Sequence, residues 1–177
     1  MEAPDEQLML AYRDGNAGAF ETLYTRHRGR LYRFVLRSVK ARGAAEELFQ
    51  EVWIRVIEAR GRYSPQARFT TWLYTIAHNL LTDHWRKKGL TLVELDEDTH
   101  APAPDDPARS VEARQALSRF AQALEALPPL QRQAFLLHEE GGLSIEEIAQ
   151  ATGANAETAK SRLRYAIAKL KAAVDDG

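Results

Sequence analysis

Residues 143–171 read "LSIEEIAQATGANAETAKSRLRYAIAKLK", and where this stretch breaks decides the fold. Ser144 precedes a helical run and Glu147 stands three residues on, the spacing of a reciprocal N-terminal cap. Ala149 is small where a second helix must cross closely. Gly153 supplies a tight turn, and Asn155 is a favourable cap for the helix that follows. On that second helix Ala159, Leu163 and Ile167 are expected to face inward, with Ala166 and Leu170 beside them. Glu157, Thr158, Lys160, Ser161, Arg162, Arg164 and Lys171 are left for solvent or a partner. The run 157–171 holds five basic residues and one acid. Polar side chains in the first turns of a helix, with cations behind them, are the form of a major-groove reader: the former reach base edges while the latter hold phosphates. A charge run alone is usually a solvated face. The capped first helix, Ala149 and Gly153 in register favour a helix-turn-helix that reads DNA.

Upstream, helical periodicity continues to dominate. Val111, Leu117, Phe120, Leu124 and Leu127 repeat at helical spacing, "LPP" breaks the pattern, and Pro129 can open the next helix because a first-turn residue needs no N–H partner. Near the N-terminus Leu8, Tyr12, Phe20, Leu23, Tyr24, Leu31, Phe34 and Val35 follow the same period, interrupted by "RDGNAG". "AAEELFQEVWIRVIEAR" predicts a helix over 44–60. Its apolar stripe is Leu48, Val52 and Val56, and its polar face is Glu47, Gln50, Glu51 and Arg55. "YSPQARF" is a loop, and "TTWLYTIAHNLLTDHWRKK" predicts a helix over 70–88 that ends in a basic cluster. That helix mixes Trp72, Tyr74 and Trp85 with Asn79, Arg86, Lys87 and Lys88, a combination that can stack unpaired bases and hold their backbone. Trp72 is read as core. Asn79 is disfavoured in mid-helix unless its amide has a partner.

Between the two helical regions, "VELDEDTHAPAPDDPARS" carries six acids, three prolines and one arginine. It is too polar to bury a core and is expected to be a flexible acidic tether. The expected organisation is all-α: a helical module over 5–90, a tether over 91–110 and a second module over 111–174. With such a tether, the modules of the free protein should have no fixed spacing.

The totals narrow the function. The chain has 177 residues, a formal net charge of −1 and no cysteine. Disulfides and thiolate metal sites are excluded. Neutrality gives no whole-molecule attraction to nucleic acid, so binding must come from local basic patches. No apolar run approaches membrane-spanning length, and "MEAPDEQLML" lacks a basic signal-peptide start, so a cytoplasmic protein without membrane insertion is expected. "HEEGG" at 138–142 has one histidine of a zinc-protease pair and then two helix-breaking glycines. His78 with Thr82, or Asp83 with His84, lacks a third ligand. No metal, cofactor or catalytic residue is expected, and the chain reads as a non-enzyme.

Three stretches, in order, resemble the extracytoplasmic-function (group 4) sigma factors of bacterial RNA polymerase. "AAEELFQEVWIRV" is similar to the family's core-binding helix and "RFTTWLYTIAHNLLTDHWRKK" to its promoter-melting helix. "LPPLQRQAFLLHEEGGLSIEEIAQATGANAETAKSRLRYAIAKLK" is similar to its second domain. Ala44 and Glu47 stand where the family often carries aspartates, and Ala159 where it usually has a β-branched residue. The resemblance implies that Glu47, Leu48, Gln50 and Glu51 meet the clamp helices of core polymerase, whose flap would receive the second module. Tyr63, Arg68 and Phe69 in the loop 63–69, with Asn79, would capture a flipped base of the −10 element, and Arg86, Lys87 and Lys88 would hold duplex DNA upstream. Asn155, Glu157, Thr158, Lys160, Ser161, Arg162 and Arg164 would read the −35 element. The tether would lie in the polymerase channel that later carries RNA. Promoter DNA, core polymerase and an anti-sigma protein are the implied partners. The alternative is a stand-alone helix-turn-helix regulator that binds a palindromic operator as a dimer.

Overall fold

In a computed structural model, residues 2–89 and 112–175 are described, and among them every regular element is helical. The first bundle comprises α1 (Asp5–Arg13), α2 (Ala17–Val39), α3 (Arg42–Ala59) and α4 (Phe69–Lys87), with a single 3-10 turn, Arg60–Arg62, after α3. The second comprises α5 (Glu112–Ala126), α6 (Pro129–Glu139), α7 (Ile145–Thr152) and α8 (Ala156–Asp175). The acidic stretch expected at 91–110, and Val111, lie outside the described residues.

Local chemistry accounts for the helix ends. The "RDGNAG" break becomes the α1–α2 corner, where the Asn16 side chain accepts from the Ala19 N–H at 3.2 Å and Lys40 later closes α2 at a positive φ of 67°. The stripe Val52 and Val56 of α3 is buried with Trp53, while Leu48 is half-buried. On α4, Phe69, Leu73, Tyr74, Ala77, Leu81 and Trp85 are all buried. Phe34 of α2 meets the Tyr74 ring edge-on, with centroids 5.2 Å apart, a geometry that adds about 1 kcal/mol beyond burial. Trp72, expected in the core, is half-buried at its edge.

The second bundle shows the expected caps. The Ser144 hydroxyl accepts from the Glu147 N–H at 3.2 Å, and the Glu147 carboxylate accepts from the Ser144 N–H at 3.1 Å. Gly153 turns the chain at φ 68°, a left-handed conformation that a side chain would disfavour. Asn155 then accepts from the Thr158 N–H at 2.8 Å. Ala159, Leu163, Ala166 and Leu170 are buried. Ile167 departs from expectation and is 44% exposed. The inward stripe runs 159–163–166–170, and the 100° step per residue leaves Ile167 on its flank. Leu117 is likewise 70% exposed on α5, where Phe120, Ala123 and Leu124 make the contact.

The two modules do not stand apart. The α7 helix packs on α4, and α6 packs on α2. Buried apolar residues of both modules belong to one core cluster, and polar pairs cross the contact as well. Thr71 donates to the Glu147 carboxylate at 2.8 Å, and Arg68 approaches the same group at 3.4 Å. His78 Nδ1 lies 2.6 Å from the Gln133 Oε1. Glu140, buried, is held by Arg33 at 3.2 Å and by Arg37. Lys40 donates to the Glu125 carbonyl at 3.1 Å. The expectation of unfixed spacing is therefore corrected. Side chains on facing helices pair across the gap, a feature that one-dimensional periodicity does not register. The contact also leaves the buried Gln133 Nε2 and Arg132 Nε without a hydrogen-bond partner among the described residues. Each such orphan costs about 1–3 kcal/mol.

Candidate nucleic-acid interface

The recognition-type helix α8 begins outside the core. Asn155, Glu157, Lys160 and Arg164 are exposed, while Thr158, Ser161 and Arg162 are half-buried. The Asn155 amide oxygen is committed to the cap, so its NH2 group is the part left to reach outward. The Arg164 guanidinium lies over the Tyr165 ring, 5.2 Å from its centroid, which orders a long cation on the surface. Helix α8 packs against α7, with Ala149 and Ala159 both buried.

The face built on α4 is less uniform. Asn79, Arg86, Lys87 and Lys88 are exposed, with Arg86 3.8 Å from Asp83. Arg68 is exposed but leans toward Glu147 of the second module. Tyr63 and Phe69 are buried. Their rings form a cluster with Trp72, 5.0 Å from Tyr63 and 5.8 Å from Phe69. In this arrangement they support the loop 63–69 from beneath, and Ser64, Pro65 and Gln66 are its exposed part. Burial, with Glu6 and Asp5 nearby, pushes the Tyr63 hydroxyl up to about 12. The amide of Phe69 donates to the Glu6 carboxylate at 3.3 Å, so α1 caps α4 from across the bundle. That contact joins residues far apart in the chain, and no local sequence signal announces it.

Titration follows the module contact. Burial lowers the pKa of His78, and Arg162 and Arg86 lower it further against the bond to Gln133, so its neutral form is favoured. For Glu147, burial favours the neutral acid, but bonds from Ser144 and Thr71 and the charge of Arg68 outweigh it and hold the carboxyl below its usual range.

On α3, Glu47 and Gln50 are exposed, and Leu48 and Glu51 are half-buried, with Arg55 3.2 Å from Glu51. Two further residues share this outer surface: Ile54 is 44% and Ile57 39% exposed. Sequence reasoning passed over both. The available signal was that they lie off the Leu48–Val52–Val56 stripe, apolar on a face whose other exposed residues, Glu47, Gln50 and Arg55, are polar. A β-branched pair on an acidic face suits a protein partner better than DNA.

Among the described residues no group of three histidine or acidic side chains could hold a metal ion, and no helix is long and apolar enough to cross a membrane.

Comparison with known proteins completes this description. Residues 23–91 match the Sigma-70 region 2 family and residues 117–170 match Sigma-70, region 4. The chain is 36% identical over 167 residues to the RNA polymerase sigma factor CarQ of Myxococcus xanthus, covering 92% of this chain and 93% of that protein. It is 31% identical over 170 residues to the ECF RNA polymerase sigma factor SigK of Mycobacterium sp. strain KMS, covering 93% and 87%. Its fold is similar to the sigma factor RpoE solved in complex with the anti-sigma factor NepR from Bartonella quintana. The TM-score is 0.68 at 23% identity, over 88% of this chain and 96% of that one.

Proposed function

The chain belongs to the extracytoplasmic-function sigma factors of RNA polymerase, non-catalytic subunits of transcription initiation, and from that premise we propose a residue-level division of labour. The outer face of α3, with Glu47, Leu48, Gln50, Glu51 and Ile54, docks on core polymerase. Acids ringing an apolar pair suit a basic rim around an apolar centre. Asn79, with Arg68 and the loop over Tyr63 and Phe69, receives an unpaired base of the −10 element, and Arg86, Lys87 and Lys88 hold the adjoining duplex. Asn155, Glu157, Thr158, Lys160, Ser161, Arg162 and Arg164 face the −35 element. The modules are taken as 5–90 and 111–174, joined by the acidic stretch 91–110. A regulator of the anti-sigma class is the proposed second partner; the fold neighbour RpoE was solved with one.

The observation that carries this reading is the exposure of Asn155, Glu157, Lys160 and Arg164 on a helix capped by Asn155 and packed from behind on α6 and α7. Rigid placement lets such side chains discriminate bases. A mobility-shift titration at fixed salt tests it. The protein alone should bind promoter DNA weakly, because its net charge is −1 and its modules are folded onto each other. Core polymerase should raise affinity by about 10²–10⁴-fold, the range available to linked sites on a common body. Tight palindromic binding by the protein alone would instead establish a stand-alone regulator.

A further inference from the structure

Helix α2 is strongly basic. Within Ala17–Val39 it carries Arg26, Arg28, Arg30, Arg33 and Arg37 against one acid, Glu21, and it has no lysine. Four of the arginines follow steps of four, three and four residues, so Arg26, Arg30, Arg33 and Arg37 form one stripe, about 16 Å long at 1.5 Å per residue. Lys40 continues it. Arg26 is spent inside the first module, where it bonds the Ala3 carbonyl at 2.7 Å and Asp5 at 3.0 Å. Arg30 is exposed, and the remaining three residues meet the second module. Arg33 and Arg37 converge on Glu140, and Lys40 on Glu125.

We propose that the α2 stripe Arg30–Arg33–Arg37–Lys40 is a binding surface for the nucleic-acid phosphate backbone, its two middle arginines occupied in the packed arrangement by Glu140 as a carboxylate stand-in for phosphate. Three features carry this. A carboxylate seated between two guanidinium groups, one bonded to each of its oxygens, presents them with the anionic charge that a phosphate would. The pair is a poor device for permanent adhesion, because its arginine side chains are 50% exposed and an ion pair open to water contributes little. It is a good device for a contact that must exchange one anion for another. Finally, α2 and α4 pack on each other and both touch the second module, so parting the modules would free Arg33 and Arg37 from Glu140 on the helix next to the one that bears Asn79.

The inference rests on the promoter-binding reading only in taking DNA as the ligand. It is tested with the full chain by fluorescence anisotropy of a labelled duplex of unrelated sequence between about 50 and 200 mM salt. Glu140→Gln should release the stripe and steepen the logarithmic salt dependence by about two, equivalent to roughly tenfold more affinity lost across that interval. Adding Arg33→Ala and Arg37→Ala should abolish the gain. Should Glu140→Gln fold poorly, Thr71→Val with Glu147→Gln loosens the modules elsewhere and should give the same arginine-dependent gain. An unchanged slope, or a gain that survives loss of both arginines, overturns the proposal. Displacement of the second module by a poly-glutamate peptide but not by duplex DNA overturns it in favour of an acidic protein partner. Transcription from a cognate promoter with core polymerase, measured in parallel, separates the two levels. Its absence defeats the functional reading, whereas its presence with an unchanged slope defeats only the stripe.

Discussion

Glu147 should act twice, as the cap of α7 and as the hinge pin between the modules, and a double-mutant cycle with Thr71 separates the roles. The buried Thr71 hydroxyl donates to this carboxylate at 2.8 Å. A hydrogen bond to a charged group contributes about 1.5–3 kcal/mol. Arg68, 3.4 Å away with 63% of its side chain exposed, adds at most about 0.5 kcal/mol. The coupling across the interface is thus about 2 kcal/mol, and the capping box contributes roughly 1 kcal/mol more. Thr71→Val should cost about 2 kcal/mol and Glu147→Ala about 3. The double variant should cost about 3, because Thr71 has no carboxylate left to lose. Urea unfolding of the four proteins measures the cycle. In a variant with one exposed cysteine added to each module, energy transfer should report roughly thirtyfold more opening, since 1.4 kcal/mol is tenfold. Ser144→Ala provides a control: it should cost about 1 kcal/mol and add to Thr71→Val. Additivity of Thr71→Val and Glu147→Ala within about 0.5 kcal/mol would refute the argument. The pH dependence has a definite sign. The folded carboxyl is held below its usual range, so this stabilisation is complete at neutral pH and disappears as pH falls through the depressed folded value.

Three other expectations concern separate surfaces. Asn79→Ala should leave core association intact and impair promoter opening; permanganate probing that shows normal melting returns Asn79 to a solvated role. Glu51→Lys, and independently Ile54→Asp, should weaken association with core polymerase, Ile54→Asp by about 1–2 kcal/mol if the side chain becomes fully covered; a pull-down with unaltered affinity refutes the α3 assignment. His78 has a lowered folded pKa, as do His27 and His84, so the unfolded chain takes up protons first. Stability should then be full above about pH 6.5 and decline as the medium is acidified toward the lowered values. His78→Gln should flatten that decline in thermal melts without removing the share of the other two, and an unchanged slope would show that His78 does not contribute.

The helices and the turns between them were legible locally. Ser144 with Glu147, Gly153 and Asn155 each act within three or four residues, so their spacing alone specified the cap, the turn and the second cap that the structure contains. The periodic stripes of α2, α3 and α8 named much of the core for the same reason, since a helix repeats every 3.6 residues whatever it packs against. Ile167 and Leu117 escaped because a stripe has a width, and its edge is set by the neighbouring helix. Tyr63 and Phe69, read as base contacts, and Ile54 and Ile57, not read as contacts at all, show the converse: aromatic or apolar character does not say which side of a bundle a residue takes. What only the tertiary structure decided was the joining of the modules. Glu147 with Thr71, Glu140 with Arg33 and Arg37, and His78 with Gln133 pair residues 55 to 107 positions apart. Pairings at that distance depend on how two complete bundles meet, because each side chain is locally an ordinary polar residue on a helix surface and acquires its role only from the partner that folding brings to it.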